Sequence, residues 1–126
     1  MDSPSHTVLV VDDDPAIRFL CRVNLELDGC AVREAGTLAD AREALAAEEI
    51  EVVLLDIHVG ADSGTDFLDE LRRDHPGVAV AMLTGSVGTP TGEGATPDAV
   101  IAKPFRPEQL IETVQNLVPR TAHGAR

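Results

Sequence analysis

Val52-Val53-Leu54-Leu55-Asp56 is a run of four apolar residues that ends on a single carboxylate. A run this short, β-branched at its start and bounded by acids, reads as a strand buried on both faces, with Asp56 where the strand leaves the core. The same grammar occurs once earlier, where Thr7-Val8-Leu9-Val10-Val11 runs into Asp12-Asp13-Asp14. If the two strands are parallel neighbours, several carboxylates converge at their carboxyl ends. Like charges that close repel, and they persist where a cation is bound, a proton is shared or water separates them.

Working outward, Asp14 is a candidate N-cap and Pro15 a first-turn residue for a helix over about residues 15–28. Ile17, Leu20, Cys21 and Leu25 form its inner face, and Asp28-Gly29 closes it. Residues 30–35 read as a weaker, charged edge strand. Thr37 caps a helix from Leu38 to about residue 49, with Ala41, Leu45 and Ile50 inward. Residues 58–64 read as a loop from their glycine and small polar content, and a helix over about residues 65–75 follows, with Phe67, Leu68 and Leu71 inward. Residues 78–83 are another continuous apolar strand, ending on Thr84-Gly85-Ser86. Four glycines and two prolines over residues 85–98 leave almost no apolar helical face, which predicts a loop. Residues 99–102 form a short strand stopped by Lys103-Pro104-Phe105, and Pro107 opens a helix striped by Leu110, Ile111, Val114, Leu117 and Val118.

Strands alternating with helices imply right-handed βαβ units and a doubly wound α/β fold, a five-stranded parallel sheet with helices on both faces. The 126 residues suit one domain. It is expected over residues 7–118, with an N-terminal extension at 1–6 and a flexible tail or linker start at 119–126. In such sheets ligands bind at the carboxyl ends of strands. Asp12, Asp13, Asp56, Thr84 and Lys103 all lie at such ends.

With three Phe and neither Trp nor Tyr, the core must be built from Val, Leu, Ile and Ala. A net charge of −12 argues against direct binding of nucleic acid and favours basic partners and divalent cations. The sequence lacks an apolar run of membrane-spanning length and a signal-peptide start, so a cytoplasmic protein without membrane contact is expected. Cys21 and Cys30 read as buried free thiols. His6, His75 and His123 read as solvated, as does the helix face of Glu43, Glu48 and Glu49.

The carboxylates are hard oxygen ligands that point to Mg²⁺. An ionised Asp56 can attack phosphorus to give an aspartyl phosphate, and the Lys103 ammonium and Thr84 hydroxyl can then stabilise the phosphoryl oxygens.

On residues 10–15, Leu54-Leu55-Asp56, Met82-Leu83-Thr84-Gly85 and Lys103-Pro104-Phe105, in this order and spacing, the chain resembles a response-regulator receiver (CheY-like) domain of two-component signalling. The resemblance covers about residues 7–118 and implies strand order 2-1-3-4-5, the flavodoxin-like arrangement. It implies that Asp56 is the phosphoacceptor, supplied by a histidine kinase or histidine phosphotransfer protein. It assigns Mg²⁺ to Asp13 and Asp56, to Asp12 through water, and to the backbone carbonyl of His58. Lys103 would contact the phosphoryl group, Thr84 would move toward it as the switch, and Lys103-Pro104 would be cis.

Such a domain catalyses only its own phosphorylation and dephosphorylation and is not a turnover enzyme. Three departures stand out. Val100 replaces the family's usual aromatic three residues before the lysine, Gly60 replaces its usual proline, and the interval at 85–98 is shortened, so the fourth helix is expected to be short, mobile or missing. His58 either tunes the phosphoryl chemistry or faces solvent, and Ser86 is a second tuning candidate. The downstream partner and a phosphorylation-dependent homodimer stay open. Two other readings compete: a docking module that is not phosphorylated, and a phosphatase with an aspartyl nucleophile, in which His58 occupies the place of the usual second acid.

Overall fold

A strand whose successive side chains are all apolar needs cover on both faces, and the intervening amphipathic segments supply it as helices. A computed structural model describes residues 6–85 and 95–118. Its elements in chain order are β1 (Thr7–Val11), α1 (Pro15–Leu27), β2 (Ala31–Ala35), α2 (Leu38–Ala47), β3 (Val52–Asp56), β4 (His58–Val59), β5 (Asp62–Ser63), α3 (Gly64–Asp74), β6 (Ala79–Thr84), β7 (Ala99–Ala102) and α4 (Pro107–Leu117). The main sheet is parallel throughout, in the order β2-β1-β3-β6-β7, which is 2-1-3-4-5 when its own five strands are numbered.

The alternating side chains divide the core into two layers. Leu9, Val11, Val53, Leu55, Val80 and Met82 pack with Leu45 of α2 and Phe67, Leu68 and Leu71 of α3. Val8, Val10, Val52, Leu54, Ala81 and Leu83 pack with Cys21 and Leu25 of α1 and with Leu110 and Val114 of α4. Each helix starts where a polar residue or proline allows. The Asp14 carboxylate accepts from the Ala16 N–H at 2.9 Å, Thr37 Oγ1 from Asp40 at 3.0 Å, and Ser63 Oγ from Asp66 at 3.2 Å. Pro107 opens α4.

Several expectations change. The predicted loop after β3 contains a small antiparallel pair, with His58 opposite Ser63 and Val59 opposite Asp62, turned at Gly60 with φ +63°. Two-residue strands are too short to carry an alternation signal. His6, expected in solvent, is buried: its carbonyl accepts from the Ala31 N–H at 2.8 Å, and its Nδ1 lies 2.5 Å from Glu51 Oε1. Glu48 is half-buried and paired with Arg33 rather than simply solvated. Cys21 and Cys30 are buried free thiols.

Among the described residues no helix lies between β6 and β7. Residues 86–94, where a short, mobile or missing fourth helix is expected, lie outside the described residues, and so does the Ser86 expectation. The same holds for residues 1–5 and 119–126 of the expected extension and tail. The segment entering β7 is tied to α3. The Ala95 N–H donates to Asp69 Oδ1 at 2.7 Å, and Arg72 donates to the Thr96 carbonyl and to Asp98, each at 2.9 Å. Among the described residues no helix is long and apolar enough to cross a membrane.

Candidate functional site

Because β1 and β3 are parallel neighbours in a register that pairs Val11 with Leu55, the residues that follow them emerge side by side. One carboxylate oxygen from each of Asp12, Asp13 and Asp56 lies within 4.8 Å of the others. The end of β7 delivers Lys103 to the same place, with Nζ 2.9 Å from Asp12 Oδ2 and 3.5 Å from Asp56 Oδ1.

The three acids are held differently. Asp12 is fully buried, and both its oxygens accept hydrogen bonds, Oδ1 from the Asp14 N–H at 2.9 Å and Oδ2 from Lys103. Its carbonyl accepts from Arg18 at 2.6 Å, and the same guanidinium reaches Glu34 at 3.1 Å. Asp13 is exposed, and its Oδ2 accepts from the Gly60 N–H at 3.0 Å. Asp56 is half-buried.

Three carboxylates against one ammonium leave excess negative charge. Burial, and then the Asp12 charge, push the Asp56 pKa upward; Lys103 and the backbone N–H of His58 oppose this without cancelling it. Burial works against the Lys103 ammonium, but the hydrogen bond and charge of Asp12, with Asp56 adding, outweigh it and raise the Lys103 pKa. Lys103 therefore stays charged at neutral pH. The oxygen-only donor set and the unbalanced charge fit a hard divalent cation better than a soft or imidazole-seeking one.

Thr84 ends β6 and is buried, and its carbonyl accepts from the Lys103 N–H at 2.7 Å. Lys103-Pro104 is cis. Val100 is half-buried in β7, opposite Met82, with no ring to reach outward. His58 is exposed beside Asp56. Asp12, Asp13, Asp56 and Lys103 thus meet in one cluster, with Thr84 at an adjoining strand end.

Sequence reasoning missed the residues that shape this cluster without bearing its charge. A Cβ on Gly64 would sit 2.0 Å from the Asp56 carbonyl oxygen, so the start of α3 can lie against the phosphoacceptor candidate's backbone only as glycine. Arg18 gave no signal beyond its place on a helix. Cys21, by contrast, is inert: burial first, and Asp12 second, push its thiol up to about 12, so it remains a neutral core residue.

Comparisons with known proteins identify the family and the fold. The family described as "Response regulator receiver domain" matches residues 8–115. The probable transcriptional regulatory protein TcrX of Mycobacterium tuberculosis is 32% identical over 123 residues, which cover 95% of this chain and 53% of TcrX. The chain spans about half the length of such curated relatives. A CheY-like receiver domain protein from Methanospirillum hungatei superposes with TM-score 0.77 at 28% identity, covering 88% of this chain and 91% of that one. A response regulator from Thermotoga maritima gives TM-score 0.76 at 28% identity, covering 91% and 97%.

Proposed function

This chain belongs to the response regulator receiver domain family, and we propose that in it Asp56 accepts a phosphoryl group from the phosphohistidine of a histidine kinase or histidine phosphotransfer protein. The observation that carries the proposal is Lys103 Nζ bridging Asp12 at 2.9 Å and Asp56 at 3.5 Å inside a cluster of three carboxylates. An oxygen of the ionised Asp56 attacks phosphorus, the phosphorus–nitrogen bond of the donor breaks, and the donor imidazole leaves with the electron pair. Lys103 stays charged and meets the negative charge on the phosphoryl oxygens.

Asp13 and Asp56, with the His58 carbonyl, would hold Mg²⁺ directly; Asp12, whose oxygens already accept from Lys103 and Asp14, would reach it through water. Bound there, Mg²⁺ supplies the positive charge the acid cluster lacks and stabilises the phosphoryl oxygens. The Thr84 hydroxyl turns toward the phosphoryl group as the switch. Val100 has no ring to relay that movement to the outer face, so output passes through other protein contacts, a second copy of the chain among the candidate partners. The domain works in the cytoplasm as a signalling element rather than a turnover enzyme. It makes no direct contact with membrane or nucleic acid, in keeping with the net charge of −12.

The test is intact mass after incubation with a small acyl phosphate and Mg²⁺, beside Asp56→Asn and an EDTA control. One added phosphoryl group, lost in both controls, is the expected result. A chain that binds Mg²⁺ and takes no phosphoryl group is a docking module instead.

A further inference from the structure

Asp13 is the exposed member of the acid cluster, so a free side chain there would sample several rotamers. It is held instead by the turn of the β4–β5 pair, where the Gly60 N–H donates to Asp13 Oδ2 at 3.0 Å. We propose that Gly60 is a positioning residue for the metal site, its backbone N–H latching the Asp13 carboxylate in the orientation that receives the divalent cation. The proposal rests on the Mg²⁺ site suggested above and adds a residue to it.

Two properties of position 60 make this specific. The latch needs an N–H, which proline lacks, and the turn holds φ at +63°, which proline's ring forbids and other L-residues adopt at a cost. A side chain would otherwise be tolerated, because a Cβ at Gly60 meets nothing within 4 Å. Position 60 is thus constrained by backbone chemistry and not by packing. A carboxylate has lone pairs to spare, so one N–H on Oδ2 still leaves Asp13 able to act as a ligand. The latch also connects the hairpin to the site, since Gly60, whose N–H reaches Asp13, follows two residues after His58 of β4, whose backbone N–H helps to hold the Asp56 pKa down.

The experiment uses the whole chain and reads binding, without phosphoryl transfer. Mg²⁺ is titrated against amide chemical shifts for wild type, Gly60→Asn, Gly60→Pro and Asp13→Ala, and amide hydrogen exchange at residue 60 is followed in the metal-free protein. Gly60→Asn keeps the N–H in a residue type that tolerates positive φ, and its Kd is expected to match wild type. Gly60→Pro removes the N–H and is expected to weaken Mg²⁺ roughly three- to tenfold, the scale of one ordinary net hydrogen bond, since this one is solvent-exposed. In wild type the Gly60 amide is expected to exchange slowly, and in Asp13→Ala at the rate of an exposed glycine. If Gly60→Pro does not fold, the exchange comparison decides alone. Equal Kd values across the position-60 series, or a Gly60 amide that exchanges freely in wild type, overturns the latch while leaving the phosphoacceptor proposal standing. Absence of Mg²⁺ binding by wild type overturns both.

Discussion

At the amino ends of the strands, His6 meets Glu51 and Arg72 meets Asp98, one donor group to one carboxylate. At the carboxyl ends of the same sheet, Asp12, Asp13 and Asp56 crowd around the single ammonium of Lys103. The backbone is the same parallel ladder at both ends, so the difference lies in what the residues after each strand carry. One end gives each of these carboxylates a donor of its own, and the other is left short of positive charge. A fold keeps such an imbalance where a ligand relieves it, and the relief is expected to be visible in stability as well as in binding.

The contrast can be broken most severely through packing. Gly64→Val at the carboxyl end forces a side chain against the Asp56 carbonyl and is expected to cost about 3 kcal/mol or more in urea unfolding. Gly77→Ala near the amino end meets nothing within 4 Å and should stay within about 0.5 kcal/mol. Comparable losses at the two positions would mean that α3 does not lie tightly against the site.

Removing a cation comes next. Lys103→Met leaves buried Asp12 facing its acidic neighbours without compensation, with an expected loss of about 2 kcal/mol in metal-free protein. At the other end Glu51→Gln keeps a hydrogen-bonding partner for His6 and should cost no more than about 1 kcal/mol.

A smaller effect of opposite sign is expected at the phosphoacceptor candidate. The Asp56 pKa is raised in the fold, first by burial and then by Asp12, so its contribution to stability is complete below the unfolded carboxylate pKa and is lost as pH rises through the folded value. Asp56→Asn removes that loss. The metal-free variant should melt a few degrees higher than wild type at neutral pH and match it more closely in acid, and Mg²⁺ should narrow the neutral gap by stabilising wild type. A variant that melts lower at neutral pH would show that Asp56 is not strained there.

The weakest effect belongs to the Arg42–Glu70 pair, which lies at neither end. The Arg42 hydrogen bond lowers the Glu70 pKa, so stability is present above the unfolded carboxylate pKa and lost as pH falls through the folded one. Solvent screening should make the double-mutant coupling barely measurable.

The sheet was readable because buried parallel strands are continuous apolar runs and each ended in a residue with chemistry to offer. Asp12, Asp13, Asp56, Thr84 and Lys103 fall on one edge by sequence alone, since parallel strands all end at the same side. What escaped reading depends on proximity in space or on backbone groups. The β4–β5 pair is too short for a periodic signal, and His6 finds Glu51 across 45 positions of sequence. Gly64 matters through a carbonyl eight residues earlier. In the sequence Gly60 stands out as a missing proline within a glycine-containing loop, and its N–H bond to Asp13 belongs to no side-chain pattern.

The central claim is that the unbalanced end of the sheet directs phosphoryl transfer to one carboxylate among three. The most direct measurement is borohydride reduction of the chain after treatment with a small acyl phosphate and Mg²⁺, followed by peptide mapping, since an aspartyl phosphate is reduced to homoserine. Homoserine at position 56 alone is the expected result. Homoserine at position 12 or 13, or unmodified aspartate at all three, would contradict it.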